Sequence, residues 1–154
     1  MTTAVAASQI VTFRIGTELF AADIFSVERV LRYTSPTPVP NVPAWIEGVI
    51  DYQGRVVPVI NLRKRFELAE APVASDARIL VLTVEDEWVA ATVDGVLDVS
   101  VLDASRLAPP PALFRGLAAG YLRGVVRRGE KLVVFLDVAR LFATDERIVL
   151  EQPS

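Results

Sequence analysis

The sequence has no cysteine, no histidine and one methionine, Met1. Without thiols there is no disulfide, no thiolate nucleophile and no sulfur-ligated zinc; without imidazole the usual neutral-pH general base and metal ligand are missing too. No side chain of unperturbed pKa near neutrality remains to serve as a pH sensor. Lys and Arg number 16 against 19 Asp and Glu, a net charge of −3 over 154 residues, the wrong sign for a general polyanion binder. Long apolar runs are missing as well. Arg14, Asp23, Glu47, Asp51, Arg78, Asp94 and Asp137 interrupt them before any reaches the ~18–20 residues of a membrane span, so no direct membrane insertion is expected. Residues 1–13 carry no charge and lack the basic start of a secretory signal. With the missing cysteines, this leads to an expectation of a cytoplasmic protein.

What is present is apolar and β-rich. Hydrophobic residues make up 52% and charged residues 23% of the chain, enough apolar surface to offset the entropy of ordering it. Residues 10–15 and 18–24 flank Gly16-Thr17 in the pattern of a β-hairpin. Residues 78–84 and 88–93 repeat that layout around Glu85-Asp86-Glu87, at an offset of about 69 residues. The following strands, 27–31 and 96–100, also match and are expected to continue the sheets of their own hairpins. Two proline clusters follow, Pro36, Pro38, Pro40, Pro43 and Pro109, Pro110, Pro111, which mark extended connectors. Then come Gly48-Val49-Ile50 and Gly124-Val125-Val126, strands 56–62 and 132–138, and short amphipathic stretches 62–66 and 138–142, in register at an offset of 76. A short helix is expected at each.

The chain therefore reads as two similar β-rich units, about 10–68 and 78–145, joined by a small polar linker over 69–77. Units of ~60 residues with short strands are marginal alone, so the two are expected to share apolar residues within one domain spanning 10–145. Residues 1–9 and 148–154 are expected to be flexible termini.

Several motifs, taken together, carry a family resemblance. Phe13-Arg14-Ile15-Gly16, Ala22-Asp23-Ile24, Val27-Glu28-Arg29-Val30, the run from Pro40 to Ile50, the run from Gly54 to Arg63, and Val93-Asp94-Gly95-Val96 occur in one collinear order. Tyr121-Leu122-Arg123-Gly124 and Leu136-Asp137-Val138 close it. Over residues 10–145 the chain resembles a CheW-like domain, the adaptor of bacterial chemosensory arrays. The resemblance implies an all-β fold with short helices: two five-stranded SH3-like β-barrels related by a pseudo-two-fold and sharing a hydrophobic core. It also implies a function without chemistry or cofactor, in which the adaptor binds the regulatory domain of a CheA-type histidine kinase and the cytoplasmic tip of a chemoreceptor. The kinase's regulatory domain has the same fold in this family, and the receptor tip would lie in an apolar groove between the barrels.

Carried over position by position, the resemblance implies a partner surface holding Val27, Arg29, Gly48, Tyr52, Gln53, Gly54, Arg55, Val57 and Gly95. Two charges depart from the family pattern: Gln53 stands where an arginine is usual, and Arg29 where an acid is common. Arg55 beside Gln53 is a candidate to take over the lost charge. The departures lead to the expectation of an adaptor dedicated to a particular chemosensory system.

Plainer readings stand beside these. Gly48, Gly54, Gly95 and Gly124 are first expected to serve positive φ or tight bends. Val27 and Val96 read as core on composition alone, and Trp45 and Trp88 as packing residues. The acids at 85–87 read as a solvated hairpin tip, with no metal expected. Asp94 and Asp98 are spaced like ordinary surface positions and not as a facing catalytic pair, so no enzyme is expected. A CheW-like scaffold or competitor that binds only the kinase is the alternative within the family. Outside it stands a small barrel binding single-stranded nucleic acid through Arg123, Arg127 and Arg128, with Tyr33, Tyr52 and Tyr121 stacking on bases; the charge balance weighs against nucleic acid as a partner.

Overall fold

The structure, a computed structural model, describes residues 7–66, 68–109 and 122–141. Ten strands form two five-stranded sheets. The strands are β1 (Ala7–Ile15), β2 (Glu18–Asp23), β3 (Val27–Arg32), β4 (Ile46–Tyr52), β5 (Arg55–Asn61), β6 (Arg78–Val84), β7 (Glu87–Val93), β8 (Gly95–Asp103), β9 (Leu122–Arg128) and β10 (Lys131–Leu136). Single-turn helices α1 (Leu62–Arg65) and α2 (Val138–Leu141) follow β5 and β10, as the repeat predicts. Their starts are capped alike: the Asn61 side chain accepts from the Lys64 N–H at 3.0 Å, and the Asp137 side chain accepts from the Arg140 N–H at 3.2 Å. Each cap supplies an acceptor to a donor the short helix leaves unpaired.

The first sheet runs β8-β1-β2-β10-β9 and the second β3-β6-β7-β5-β4. Advancing every strand of the second sheet by five positions in the chain generates the first, which is the pseudo-two-fold written as topology. The sequence expectation that each unit closes its own sheet is corrected here. Strand β3 pairs antiparallel with β6, from Val27↔Leu82 to Arg32↔Arg78, and not with its own hairpin. Strand β8 likewise pairs with β1. The second barrel is thus contiguous from β3 through β7, while the first is assembled from β1–β2 and β8–β10. The chain crosses between them twice, through the 3-10 turn Ile24–Ser26 and at Asp94. Strand β1 also begins three residues inside the expected tail, because Ala7, Ser8 and Gln9 pair with Asp103, Leu102 and Val101. Residues 1–6 and 148–154, Pro110, Pro111, Tyr121 and Phe142 lie outside the described residues.

Apolar residues divide into three clusters by strand alternation. Leu19, Ala21, Val133 and Phe135 fill the first barrel, and Val57, Val59, Ile79 and Val81 the second. Their neighbours on the opposite faces, Phe20, Ala22, Val134 and Leu136 with Ile60, Leu80, Leu82 and Val84, form the core shared between barrels. Strands such as β6 and β10 are buried on both faces, which is why they read as unbroken apolar runs and not as an alternating pattern. Ile60 and Leu80 are 0% exposed, and burying each such side chain stabilises the fold by about 1.5–3 kcal/mol.

Each barrel is drawn together by one isolated bridge. Thr37, beyond β3, exchanges hydrogen bonds of 2.9 Å with Val49, and Ala108, beyond β8, exchanges bonds of 2.8 Å with Val125. The two bridges explain two glycines. A Cβ on Gly48 would lie 2.2 Å from the Thr37 carbonyl oxygen, and one on Gly124 would lie 2.4 Å from that of Ala108. Gly54 differs: a Cβ there meets nothing within 4 Å, but its φ of +78° favours glycine. Gly48→Ala and Gly124→Ala are therefore each expected to destabilise the fold by about 2–4 kcal/mol, and Gly54→Ala by about 1 kcal/mol. Urea midpoints of the three variants check this ordering; an equal, small loss at Gly48 and Gly54 would contradict it.

Candidate functional site

The turn between β4 and β5 organises most of the predicted surface. Tyr52 pairs with Arg55 across the ladder, leaving Gln53 (φ +50°) and Gly54 (φ +78°) as a two-residue loop with both residues left-handed, a type I′ turn. The Asp51 carboxylate accepts from the Gly54 N–H at 3.1 Å and steadies it. Glycine suits its half of the turn, whereas Gln53 holds a conformation that costs a residue with a Cβ about 1–2 kcal/mol.

Five side chains converge there. The Tyr52 hydroxyl donates to the Glu28 carboxylate and accepts from the Gln53 amide, both at 3.3 Å. The Tyr52 ring meets Trp88 edge-on at 4.8 Å, and the Arg55 guanidinium lies over the Trp88 ring at 4.3 Å. Such a cation–ring contact at an exposed site contributes about 0.5–1 kcal/mol. In this chain the acid on β3 that reaches the turn is Glu28, one position before Arg29, and it is met by a tyrosine hydroxyl and not by an arginine. Arg55, the candidate for the missing charge, is exposed and held flat against Trp88. The arrangement presents one guanidinium, one carboxylate and an amide on a rigid aromatic base. Its chemistry is recognition through hydrogen bonds and charge.

The remaining predicted residues separate from this group. Arg29 is exposed on β3, but Val27 is half-buried and packs against the shared core, so its side chain has a structural task as well. Val57 is 1% exposed and lies inside the second barrel, and Tyr52 is 6% exposed with its ring in the same cluster. Gly48 is buried at the closure bridge. These three lie beneath the surface of the second barrel. The buried ring of Tyr52 also removes it as a base-stacking surface, and Tyr33 is packed against the interior of the second barrel. Gly95 lies in the other sheet, opposite Arg14 on β1.

Sequence reasoning placed Trp88 only as packing and passed over Phe25. Phe25 is 90% exposed on the turn between β2 and β3, where the Asp23 carboxylate accepts its N–H at 2.8 Å and fixes the turn. Its signal was available: a large apolar residue directly after an Asp-led turn, outside either strand. Val56 on β5 is 72% exposed and Val30 on β3 is 40% exposed.

Asp94 is a correction of another kind. Expected at the surface, it is 8% exposed at the crossing from β7 to β8. Its Oδ2 accepts from Arg63 Nη2 and from the Gly16 N–H, each at 2.5 Å, and its carbonyl accepts from Arg14 Nη2 at 3.0 Å. Arg63 also donates to the Ala69 carbonyl at 2.7 Å. One carboxylate thus ties the first hairpin's turn to the helix that follows β5 of the other barrel. Asp98, by contrast, pairs with Arg128 at the surface, and the hydrogen bond from that guanidinium holds its carboxyl below the usual carboxylate range.

Two small barrels on a common core, with an aromatic and charged cluster at a hairpin tip, define a class of paired-barrel domain. The CheW-like domain family matches residues 9–146. The chain is 34% identical over 142 residues to the chemotaxis protein CheW of Treponema pallidum, covering 90% of this chain and 84% of that protein. It is 32% identical over 135 residues to protein FrzA of Myxococcus xanthus, covering 86% and 83%. The crystal structure of scaffolding protein TtCheW from Thermoanaerobacter tengcongensis superposes with a TM-score of 0.81 at 29% identity, over 90% of this chain and 94% of that one. The chain belongs to the CheW-like domain family.

Two outcomes follow from the charges. Asp94→Ala leaves Arg63 largely buried without its mate and is expected to cost about 2–4 kcal/mol in urea unfolding. Loss of under 0.5 kcal/mol would mean the network is ornamental. Asp98 binds its proton less readily folded than unfolded, so its contribution is present above the ordinary carboxylate range and fades as pH falls through the folded value. For a pair this exposed that contribution is at most about 1 kcal/mol. Carboxyl NMR is expected to show Asp98 titrating below 3.8, the ordinary value, and Arg128→Ala should raise it toward that value.

Proposed function

We propose that this protein is a chemotaxis adaptor that couples chemoreceptors to a CheA-type histidine kinase, acting by binding and without catalysis, in the cytoplasm beside membrane-bound receptors. The observation that carries the reading is the family match over residues 9–146. Residues 10–145 act as a single unit in this reading. Barrel-to-barrel packing against the kinase's regulatory domain and a groove contact with the receptor's helical tip are the two engagements. No helix among the described residues is long and apolar enough to cross a membrane, in keeping with attachment through partners.

The contact residues in this reading are the exposed members of the predicted surface, Arg29, Gln53, Gly54 and Arg55, with Phe25, Val30 and Val56 as apolar anchors. Val27, Gly48, Tyr52, Val57 and Gly95 shape that surface from below. Interfaces concentrate binding energy in a few aromatic and arginine side chains, which favours Phe25 and Arg55. Gln53 in place of the usual arginine makes this an adaptor matched to its own receptors. Binding to the kinase alone is the competing outcome.

The test is co-sedimentation of the purified protein with receptor-containing membranes and the CheA-type kinase of the same organism, reading binding and kinase activity together. Phe25→Ala is expected to weaken capture about tenfold or more with an unchanged thermal melt, whereas Val27→Asp should lower both. Gln53→Arg should improve capture by receptors of other chemosensory systems. Binding to the kinase without receptors would replace this reading with the scaffold one, and binding to neither would refute both.

A further inference from the structure

Among the described residues, the closure bridges leave part of each barrel seam without a rung. Antiparallel ladders alternate, so residues two apart on a strand turn their N–H and C=O groups the same way. Val125 turns both groups to Ala108 and away from β10. Arg127, two residues on, therefore turns its own backbone pair into the same seam, where the described residues supply no further rung. Asp51 occupies the corresponding place in the second barrel, two residues beyond Val49. The two open rungs are equivalent by the pseudo-two-fold, and their side chains are opposite in charge.

Their surroundings differ accordingly. Beside Arg127 lies a cavity of about 300 Å³ between β8 and β9, lined by Ile10, Thr12 and Val133 and by three arginines, Arg106, Arg127 and Arg128, against one acid, Asp103, whose carboxylate is already taken by the Ser105 N–H and hydroxyl. Arg127 is exposed and has no ion-pair partner among the described residues. Arg128 reaches across the seam to Asp98, and both side chains are 41% exposed. An exposed pair of this kind exchanges partners cheaply, because water screens both the bond it loses and the bond it gains. The equivalent cavity of the second barrel is about 410 Å³, lined by Leu31, Arg32, Ile50 and Asp51 among others, with the acid at the open rung. Basic residues on a strand edge also discourage unwanted pairing. That role needs neither an apolar floor nor three guanidinium groups around it.

We propose that the open edge of β9 is a docking site for a short, acidic, extended peptide segment of a partner protein. Its backbone pairs with Arg127 as an added strand. One apolar side chain enters the cavity over Ile10 and Val133. Its carboxylates engage Arg106 and Arg127 and draw Arg128 away from Asp98. The site stands apart from the Gln53 turn and does not rest on the proposed coupling of receptor to kinase.

The experiment uses the full chain, 15N-labelled, titrated with an acetylated and amidated hexapeptide of alternating glutamate and leucine, with a lysine–leucine hexapeptide as the charge control. Saturable binding of the acidic peptide alone, moving the Arg127 amide resonance, is expected. Arg127→Glu should weaken it at least tenfold, Asp51→Lys should leave it unchanged, and Asp98→Asn, which frees Arg128, should tighten it several-fold. Absence of saturable binding, a still Arg127 amide, or equal affinity for Arg127→Glu would overturn the proposal. Decanoate provides a second probe, having a carboxylate and an apolar chain but no backbone to pair. If it binds as tightly as the peptide at the same residues, the cavity serves an amphiphile and the added-strand proposal is wrong.

Discussion

The interaction on which the two-barrel arrangement depends is the Asp94 carboxylate at the second crossing of the chain. It is nearly buried and takes bonds from Arg63 of one barrel's helix and from the Gly16 backbone of the other barrel's first turn. A charge so placed is expensive unless fully partnered, and here the partners come from separate barrels. The relative position of the barrels is thereby fixed by a polar contact with definite geometry. The apolar core between them, built from Phe20, Leu80, Val134 and their neighbours, supplies attraction but little direction. At the first crossing Asp23 caps the turn that carries Phe25. The two crossings thus use their aspartates for different tasks, one holding the molecule together and one presenting a side chain outward.

Much of this was legible in the sequence. The hairpins, their 69-residue offset and the paired helices after Asn61 and Asp137 came from residue pattern and are present in the structure. What pattern did not carry was the exchange of partners between the two units. Strand β3 has the same apolar rhythm whether it lies beside β2 or β6, because alternation encodes which face is buried and not which neighbour is bonded. The same degeneracy hid Asp94. Its spacing from Asp98 suggested a surface position, and only the crossing brings Arg63 and Gly16 to it. For the candidate surface, the motif named Gln53 and its neighbours but could not separate Arg55, on the outside, from Val57 two residues later and facing inward.

The departures from the family pattern also take on a physical form. Gln53 is not an isolated loss of charge: its amide meets the hydroxyl of Tyr52, which meets Glu28, so the polar groups at the turn are reorganised around a tyrosine. Arg55 sits on Trp88 close by. The tip carries its charge on the Arg55 guanidinium, flat against Trp88, and on the Glu28 carboxylate. A partner recognising this tip must complement a flat guanidinium beside a carboxylate already engaged by Tyr52.

The two crossings have a consequence for synthesis. Because β3 through β7 are consecutive, the whole second sheet can assemble once Val93 has left the ribosome, with every strand partner already in hand. The first hairpin has no such neighbours then; β1 must wait for β8, and β2 for β10, whose Val133 lies 114 residues beyond its partner Leu19. During vectorial synthesis the earliest segment is among the last to be zipped, and its apolar strands wait with one edge uncovered. The loop that must close to rescue them spans an entire finished barrel, which draws its ends together and shortens the search.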